Sequence, residues 1–102
     1  MSDRELLEMA AKAAGYTLED DSDVNGEWWP WCVELEDHWH PLTDDGDALR
    51  LAVRIRMDIS IYGADVRVFC CGVVAYEGPP DLYAATRRAI VRAAAEIGRG
   101  MK

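Results

Sequence analysis

Three stretches of this chain place apolar residues at helical spacing behind a polar cap, and the segments between them alternate or turn. That interleaving leaves few architectures open. Ser2-x-x-Glu5 is a capping box, in which the Ser2 hydroxyl binds the amide three residues on and Glu5 reaches back. Behind it Leu6, Leu7, Ala10, Ala11 and Ala14 line one face of a helix that Gly15 can close in a left-handed turn. Thr43 is the expected cap of a second helix, with Asp44, Asp45 and Asp47 in its first turn, where the helix dipole favours negative charge. Leu49, Ala52 and Val53 form its apolar stripe. Asp81 caps a third helix that buries Leu82, Ala85, Ala89, Ile90, Ala93 and Ile97 and ends at Gly98.

Between the helices the period changes to two. Tyr16, Leu18 and Asp20 alternate as a short strand does. Asp21-Ser22-Asp23-Val24-Asn25-Gly26 is a turn cluster containing the Asn-Gly hairpin signal. A second strand then sets Trp29, Trp31, Val33 and Leu35 on the expected core face and Trp28, Pro30, Cys32 and Glu34 on the other. Pro30 cannot donate to a ladder, which places at least the start of this strand on an edge. Met57, Ile59 and Ile61 alternate with Asp58, Ser60 and Tyr62, and Gly63-Ala64-Asp65 turns into a β run from Val66 to Glu77. That run is apolar on both faces, the mark of a central strand covered on both sides, and Gly72 bends or bulges it.

The order is α-β-β-α-β-β-α, with the last β run able to split in two. Three amphipathic helices around such a sheet imply an α/β (α+β) chain built as a three-layer α/β/α sandwich with an antiparallel or mixed sheet. A two-layer α+β fold is the competitor. At 102 residues, half of them hydrophobic, residues 1–102 fit one domain with a real core. No apolar run approaches the roughly 20 residues needed to cross a bilayer, and Ser2-Asp3-Arg4-Glu5 offers no secretory signal. The three cysteines, of which Cys70 and Cys71 are adjacent, read as reduced thiols in a cytoplasm.

Charge is distributed unevenly. Residues 13–49 hold eleven carboxylates, all four tryptophans and both histidines, with no Lys or Arg, whereas residues 50–102 carry nine basic groups against five acidic ones. An acidic surface studded with large aromatics suits a basic protein partner and repels phosphates, so direct nucleic-acid binding is not expected. Trp28 and Trp39, with weaker claims to the core than Trp29 and Trp31, are the expected anchors of such a contact, and Glu34, Glu36 and Asp37 are expected to steer it.

Other constellations lead to less. Asp44-Asp45-Gly46-Asp47 resembles a calcium loop, but Arg54 stands where the loop needs a further Glu. Cys32, His38 and His40 are soft ligands without any C-x₂-C or H-x₃-H spacing, so neither metal nor cofactor is expected. No nucleophile elbow, phosphate-cradling loop or H-E-x-x-H occurs, which leaves no catalytic residue to name. Arg87, Arg88 and Arg92 form the solvated face of the third helix, able to pair with the acidic segment of the same or a neighbouring chain.

Three segments, Arg4 to Tyr16, Trp39-His40-Pro41-Leu42-Thr43-Asp44-Asp45-Gly46-Asp47 to Ala52, and Tyr83 to Ala95, resemble a family of small phage and prophage proteins, the phage ABA sandwich domain. The family usually has Asn before that proline, where this chain has His40. The resemblance implies a sandwich of helix, sheet and helix and a phage origin, and no activity, cofactor or catalytic residue. With the charge pattern it gives the expected function. This is a non-enzymatic phage accessory protein, acting in the bacterial cytoplasm, that binds and inhibits a host protein with a basic or nucleic-acid-binding surface, in the manner of an inhibitor of host defence (anti-CRISPR-like). The alternative is a self-assembling structural or morphogenesis protein, a homo-oligomer joined through the arginines of the third helix. No membrane partner is expected.

Overall fold

The computed structural model describes residues 2–22 and 25–101. The elements run α1 (Asp3–Ala14), β1 (Leu18–Glu19), β2 (Trp31–Cys32), β3 (Asp37–His38), α2 (Asp45–Ile55), β4 (Asp58–Tyr62), β5 (Asp65–Cys70), β6 (Val73–Glu77) and α3 (Leu82–Arg99). The fold is α+β, with two antiparallel three-stranded sheets of order β1-β2-β3 and β4-β5-β6.

The helix ends follow the capping chemistry with two corrections. Glu5 N donates to Ser2 Oγ at 3.2 Å and Ser2 N donates to Glu5 Oε1 at 3.5 Å, completing the box, and Gly15 closes α1 at φ +76°. At α2 the cap is Asp44 rather than Thr43: the Asp44 carboxylate accepts from Asp47 N at 2.8 Å, while the Thr43 hydroxyl turns back to His40. Asp81 caps α3 by accepting from Tyr83 N and Ala84 N at 3.0 and 3.3 Å. Gly98 does not end that helix, which continues to Arg99 before Gly100 caps it.

Helix α3 packs against α1, against α2 and against β5 and β6. It can do so because its buried positions are small: Ala85, Ala89, Ala93, Ala94, Ala95 and Gly98, with only Ile90 and Val91 larger. Small residues let backbones approach closely, and here they do. A Cβ placed on Gly98 would lie 1.9 Å from the Met9 carbonyl oxygen of α1.

In the larger sheet Gly63-Ala64 joins β4 to β5, with Gly63 at φ +57°. Cys71 and Gly72, at φ +53° and +81°, form the two-residue turn between β5 and β6. Positive φ at both central positions is the type I′ pattern that matches strand twist. The run from Val66 to Glu77 is therefore split, and Gly72 is a turn residue rather than a bulge. Strand β5 is central, yet its two-sided covering is not observed. Val66, Val68, Cys70 and Ala75 are buried on the helix side, while Tyr62, Phe69, Val74 and Tyr76 are exposed. The described residues form no layer beyond that outer face.

The smaller sheet departs further from expectation. A third strand, β3, follows a tight turn in which Glu36 takes φ +52°. Strand β2 is thus central, not an edge, and Pro30 lies just before it. The sequence places no cost on this position because Pro30 faces Trp39, where β3 has ended: Trp39 N donates to the Pro30 carbonyl at 2.9 Å and no return bond is needed. The hairpin turn expected at Asp21 to Gly26 lies partly outside the described residues, at Asp23 and Val24. On its flanks Ser22 bridges Trp28.

The close approach at Gly98 sets opposite signs for two effects. Helix propensity alone makes Gly98→Ala stabilising by about 1 kcal/mol, whereas the contact with the Met9 carbonyl makes it destabilising by about 1–3 kcal/mol through overpacking. We expect the second, as a lowered urea midpoint. A raised midpoint would show that α1 and α3 can part freely.

Candidate protein-docking face

Antiparallel pairing sets Trp31 opposite His38 and Cys32 opposite Asp37, while on the other side Leu18 pairs with Cys32 and Glu19 with Trp31. Side chains alternate across a strand, so Glu19, Trp31 and His38 share one face and Leu18 and Cys32 the other. Cys32 and Pro30 are fully buried, and Trp28 and Leu18 pack against the core. The inward face therefore carries Trp28, Pro30 and Cys32, and the outward one Trp29, Trp31 and Val33. This inverts the assignment made from the sequence.

The outward face bears two ring pairs. The indole of Trp29 stacks on the imidazole of His40 with centroids 4.8 Å apart, and Trp31 meets His38 edge-on at 5.2 Å. All four residues are half-buried. The carboxylate of Asp21 binds His38 Nε2 at 2.8 Å, and that bond holds the Asp21 carboxyl below its ordinary pKa. Burial pushes the His40 imidazole down, favouring its neutral form. His40 is fixed at its backbone as well, where its N–H donates to Asp47 Oδ2 at 3.0 Å.

The five expected contact residues meet different fates. Trp39 is removed from the set: it is 0% exposed, in edge contact with Tyr16 at 5.6 Å, and it is the largest side chain of the core. It reaches the core because it follows β3 directly and lies opposite Pro30, on the inward face of the sheet. Trp28 is already covered from within. The Arg4 guanidinium lies 4.6 Å over its ring, and its Nε1 donates to Asp20 Oδ1 at 3.0 Å. Glu34, Glu36 and Asp37 are exposed and are brought together around the β2–β3 turn. Sequence reasoning missed Trp29, Trp31, His38 and His40. Their signal was the matched i, i+2 spacing of two Trp and two His, readable only once the strand pairing is known.

Several of the remaining carboxylates are paired with arginines. Asp20 pairs with Arg4 at 2.9 Å, Asp47 with Arg50 at 2.8 Å, Asp45 with Arg87 at 2.6 Å, and Asp44 lies 4.0 Å from Arg50. In the same way Arg88 binds Asp3 at 3.3 Å and Arg92 binds Glu77. The arginines of α3 are thus engaged within the chain. By contrast, among the described residues Glu19, Glu34, Glu36 and Asp37 form no ion pair with a Lys, Arg or His. Glu34 instead accepts from Thr17 N at 2.6 Å and from Thr17 Oγ1 at 2.9 Å, and the backbone bond above all holds its carboxyl below the ordinary value.

Cys32 lies on the inward side, and burial pushes its thiol up, away from the reactive thiolate. No group of three or more His, Cys, Asp or Glu side chains is disposed to hold a metal ion among the described residues. No helix is long and apolar enough to cross a membrane. Compared with protein-family models, curated proteins and solved structures, the chain matches none. The phage-family likeness accordingly rests on the three segments alone.

The Thr17–Glu34 bonds give a pH dependence of known sign. A carboxylate whose folded pKa is depressed contributes stability above its unfolded value, 4.5 here, and that contribution is lost as pH falls through the folded pKa. Glu34→Gln retains an acceptor for Thr17 but not the charge. The wild type is therefore expected to exceed the variant in urea midpoint at pH 7, with the gap closing on acidification below the usual carboxylate range. A gap that does not change with pH would rule out the charge as its origin.

Proposed function

We propose that this chain is a non-enzymatic binding protein that docks its β1-β2-β3 sheet on a basic surface of another protein. The observation that carries this reading is the residue of charge left after internal pairing. Four carboxylates that form no ion pair among the described residues, Glu19 beside Trp31 and Glu34, Glu36 and Asp37 around the β2–β3 turn, adjoin the open face that carries Trp29 and Trp31. Unpaired charge speeds and orients encounter, whereas partly exposed indoles supply area at low entropy cost. Anchoring thus passes from Trp28 and Trp39 to Trp29 and Trp31, and steering stays with Glu34, Glu36 and Asp37, joined by Glu19.

Surfaces that bind nucleic acid are already built to hold a row of negative charge, which makes a nucleic-acid-binding protein the best-fitting class of partner. The resemblance to phage proteins supports a bacterial host protein as the target, met in the cytoplasm during infection, with inhibition of a host defence complex as the consequence. Occupying the groove meant for phosphate is sufficient for inhibition; no chemistry is required.

Capture from host lysate identifies the partner, and association is then followed at varied salt. The combined variant Glu34→Gln, Glu36→Gln, Asp37→Asn is expected to associate about tenfold more slowly at low salt and to lose most of its salt dependence. Trp31→Ala is expected to raise Kd at least tenfold through faster dissociation, while far-UV circular dichroism shows that the variant is still folded. Association of the triple variant with wild-type rate and salt slope would remove this face from the contact.

A further inference from the structure

Strand β4 is an unguarded edge. Exposed sheet edges are normally blunted by Lys, Pro, a bulge or a covering segment. The opposite edge, β6, has such protection: Arg92 reaches across to the Tyr76 carbonyl at 2.9 Å and to the Glu77 carboxylate, and Pro79-Pro80 follows. Asp58-Ile59-Ser60-Ile61-Tyr62 has no Lys, no Pro and no bulge, pairing one-to-one with β5 along all five residues.

Its geometry fixes what the open side offers. A two-residue hairpin closes on a hydrogen-bonded pair, here Tyr62 with Asp65. By alternation Tyr62, Ser60 and Asp58 bond to β5, and the N–H and C=O groups of Ile59 and Ile61 point outward. The side chains of these isoleucines lie on the helix side with Val66 and Val68, yet Ile61 is 53% exposed. They open into a groove of about 500 Å³ shared with Ala48, Leu49, Leu82 and Tyr83.

We propose that a second copy of this chain occupies the groove, its β4 pairing antiparallel with β4 about a two-fold axis at Ser60. The sequence of the strand is self-complementary in that register. Ile59 meets Ile61 of the other copy in both directions, so four outward backbone groups of each copy become four hydrogen bonds, and four isoleucines close over the groove. Asp58 falls opposite Tyr62, never opposite another Asp58, and can accept from the phenol. A parallel register loses this match. The open fractions of Leu49, Ile59, Ile61, Tyr62 and Tyr83 run from 37% to 73%. At the 150–250 Å² that a large side chain buries, they amount to roughly 600 Å². With the strand backbone this approaches the ~800 Å² per partner of a standard interface. No residue of the acidic face lies in β4, so the dimer presents that face twice.

Sedimentation velocity from micromolar to several hundred micromolar concentration tests this, with amide hydrogen exchange read at Ile59 and Ile61. The expected result is a concentration-dependent dimer in which both amides gain protection. Ile59→Lys installs an edge guard, and Ile61→Pro removes an outward donor without touching the β5 ladder. Each should weaken dimerisation at least tenfold while far-UV circular dichroism stays unchanged, and either variant suffices if the other fails to fold. A wild type that remains monomeric at several hundred micromolar overturns the proposal, as does a dimer insensitive to both changes. A dimer lost instead on Phe69→Lys assigns the contact to the outer sheet face. Protection of Ile59 and Ile61 only in the presence of a different protein assigns the edge to a foreign strand, and equally overturns the dimer.

Discussion

The contact between α1 and α3 is the constraint on which the other packing rests. Helix α3 must touch α1, α2 and the larger sheet at once, and a helix can satisfy that many neighbours only if its own side chains take little room. The run of alanines and Gly98 meets the need, at the expense of apolar area per residue. Larger side chains then come from the partners: Leu6 and Leu7 from α1, Leu51 from α2, Val66 and Val68 from β5. Because α3 stands over β5 and β6, β4 extends past it, and Ile59 and Ile61 are left facing a groove. The open edge is a consequence of where the small-residue helix has to lie.

Electrostatics follows the same internal logic. Every arginine of α3 that faces the remainder of the molecule finds a carboxylate or carbonyl there: Arg87 with Asp45 and the Leu42 carbonyl, Arg88 with Asp3, Arg92 with Glu77. These pairs are mostly exposed, so their contribution to stability is small. Their effect on the surface is larger, since they neutralise the acidic segment near α2 and leave charge unbalanced around the β2–β3 turn. The excess predicted from composition is therefore real in number but narrower in place than eleven carboxylates suggest.

Helix positions and most caps were legible because capping and 3.6-residue periodicity are local; Ser2, Asp81 and Gly15 act where their chemistry says. The buried face of α2 was misplaced, since Ala48, Leu51 and Ala52 are buried there while Leu49 and Val53, expected in its stripe, are exposed. The one-residue shift of the α2 cap reflects competition between neighbouring cap formers, Thr43 and Asp44, which only the His40 contacts resolve. Strand faces were less legible. In Trp28-Trp29-Pro30-Trp31-Cys32 both faces are apolar, so alternation cannot say which is inward, and a parity error exchanges every side chain. Residue size favoured Trp29 and Trp31 as core, whereas the core accepted Pro30 and Cys32 and took its tryptophan from Trp39. Strand β3 is two residues long and enters through an αL residue, Glu36, so no periodicity announced it. For the candidate site, residue type singled out Glu34, Glu36 and Asp37, which are exposed around one turn, while the aromatic half required the cross-strand register.

The two associations inferred for this chain respond to salt in opposite directions, which gives a way to tell them apart inside one sample. Docking of the acidic sheet on a basic partner gains from unscreened attraction and weakens as the Debye length shortens from about 10 Å at 0.1 M salt to about 3 Å at 1 M. Pairing of two copies brings together molecules of formal charge −8 each through a strand with one carboxylate, so long-range repulsion opposes it and screening favours it. The backbone bonds and isoleucine contacts that close the dimer are themselves little affected by salt. At low salt the chain is thus biased toward the monomer with its acidic face ready for a partner, and at higher salt toward its own kind. A partner that neutralises the acidic face lowers the same repulsion, so binding at one sheet favours pairing at the other without any change of shape.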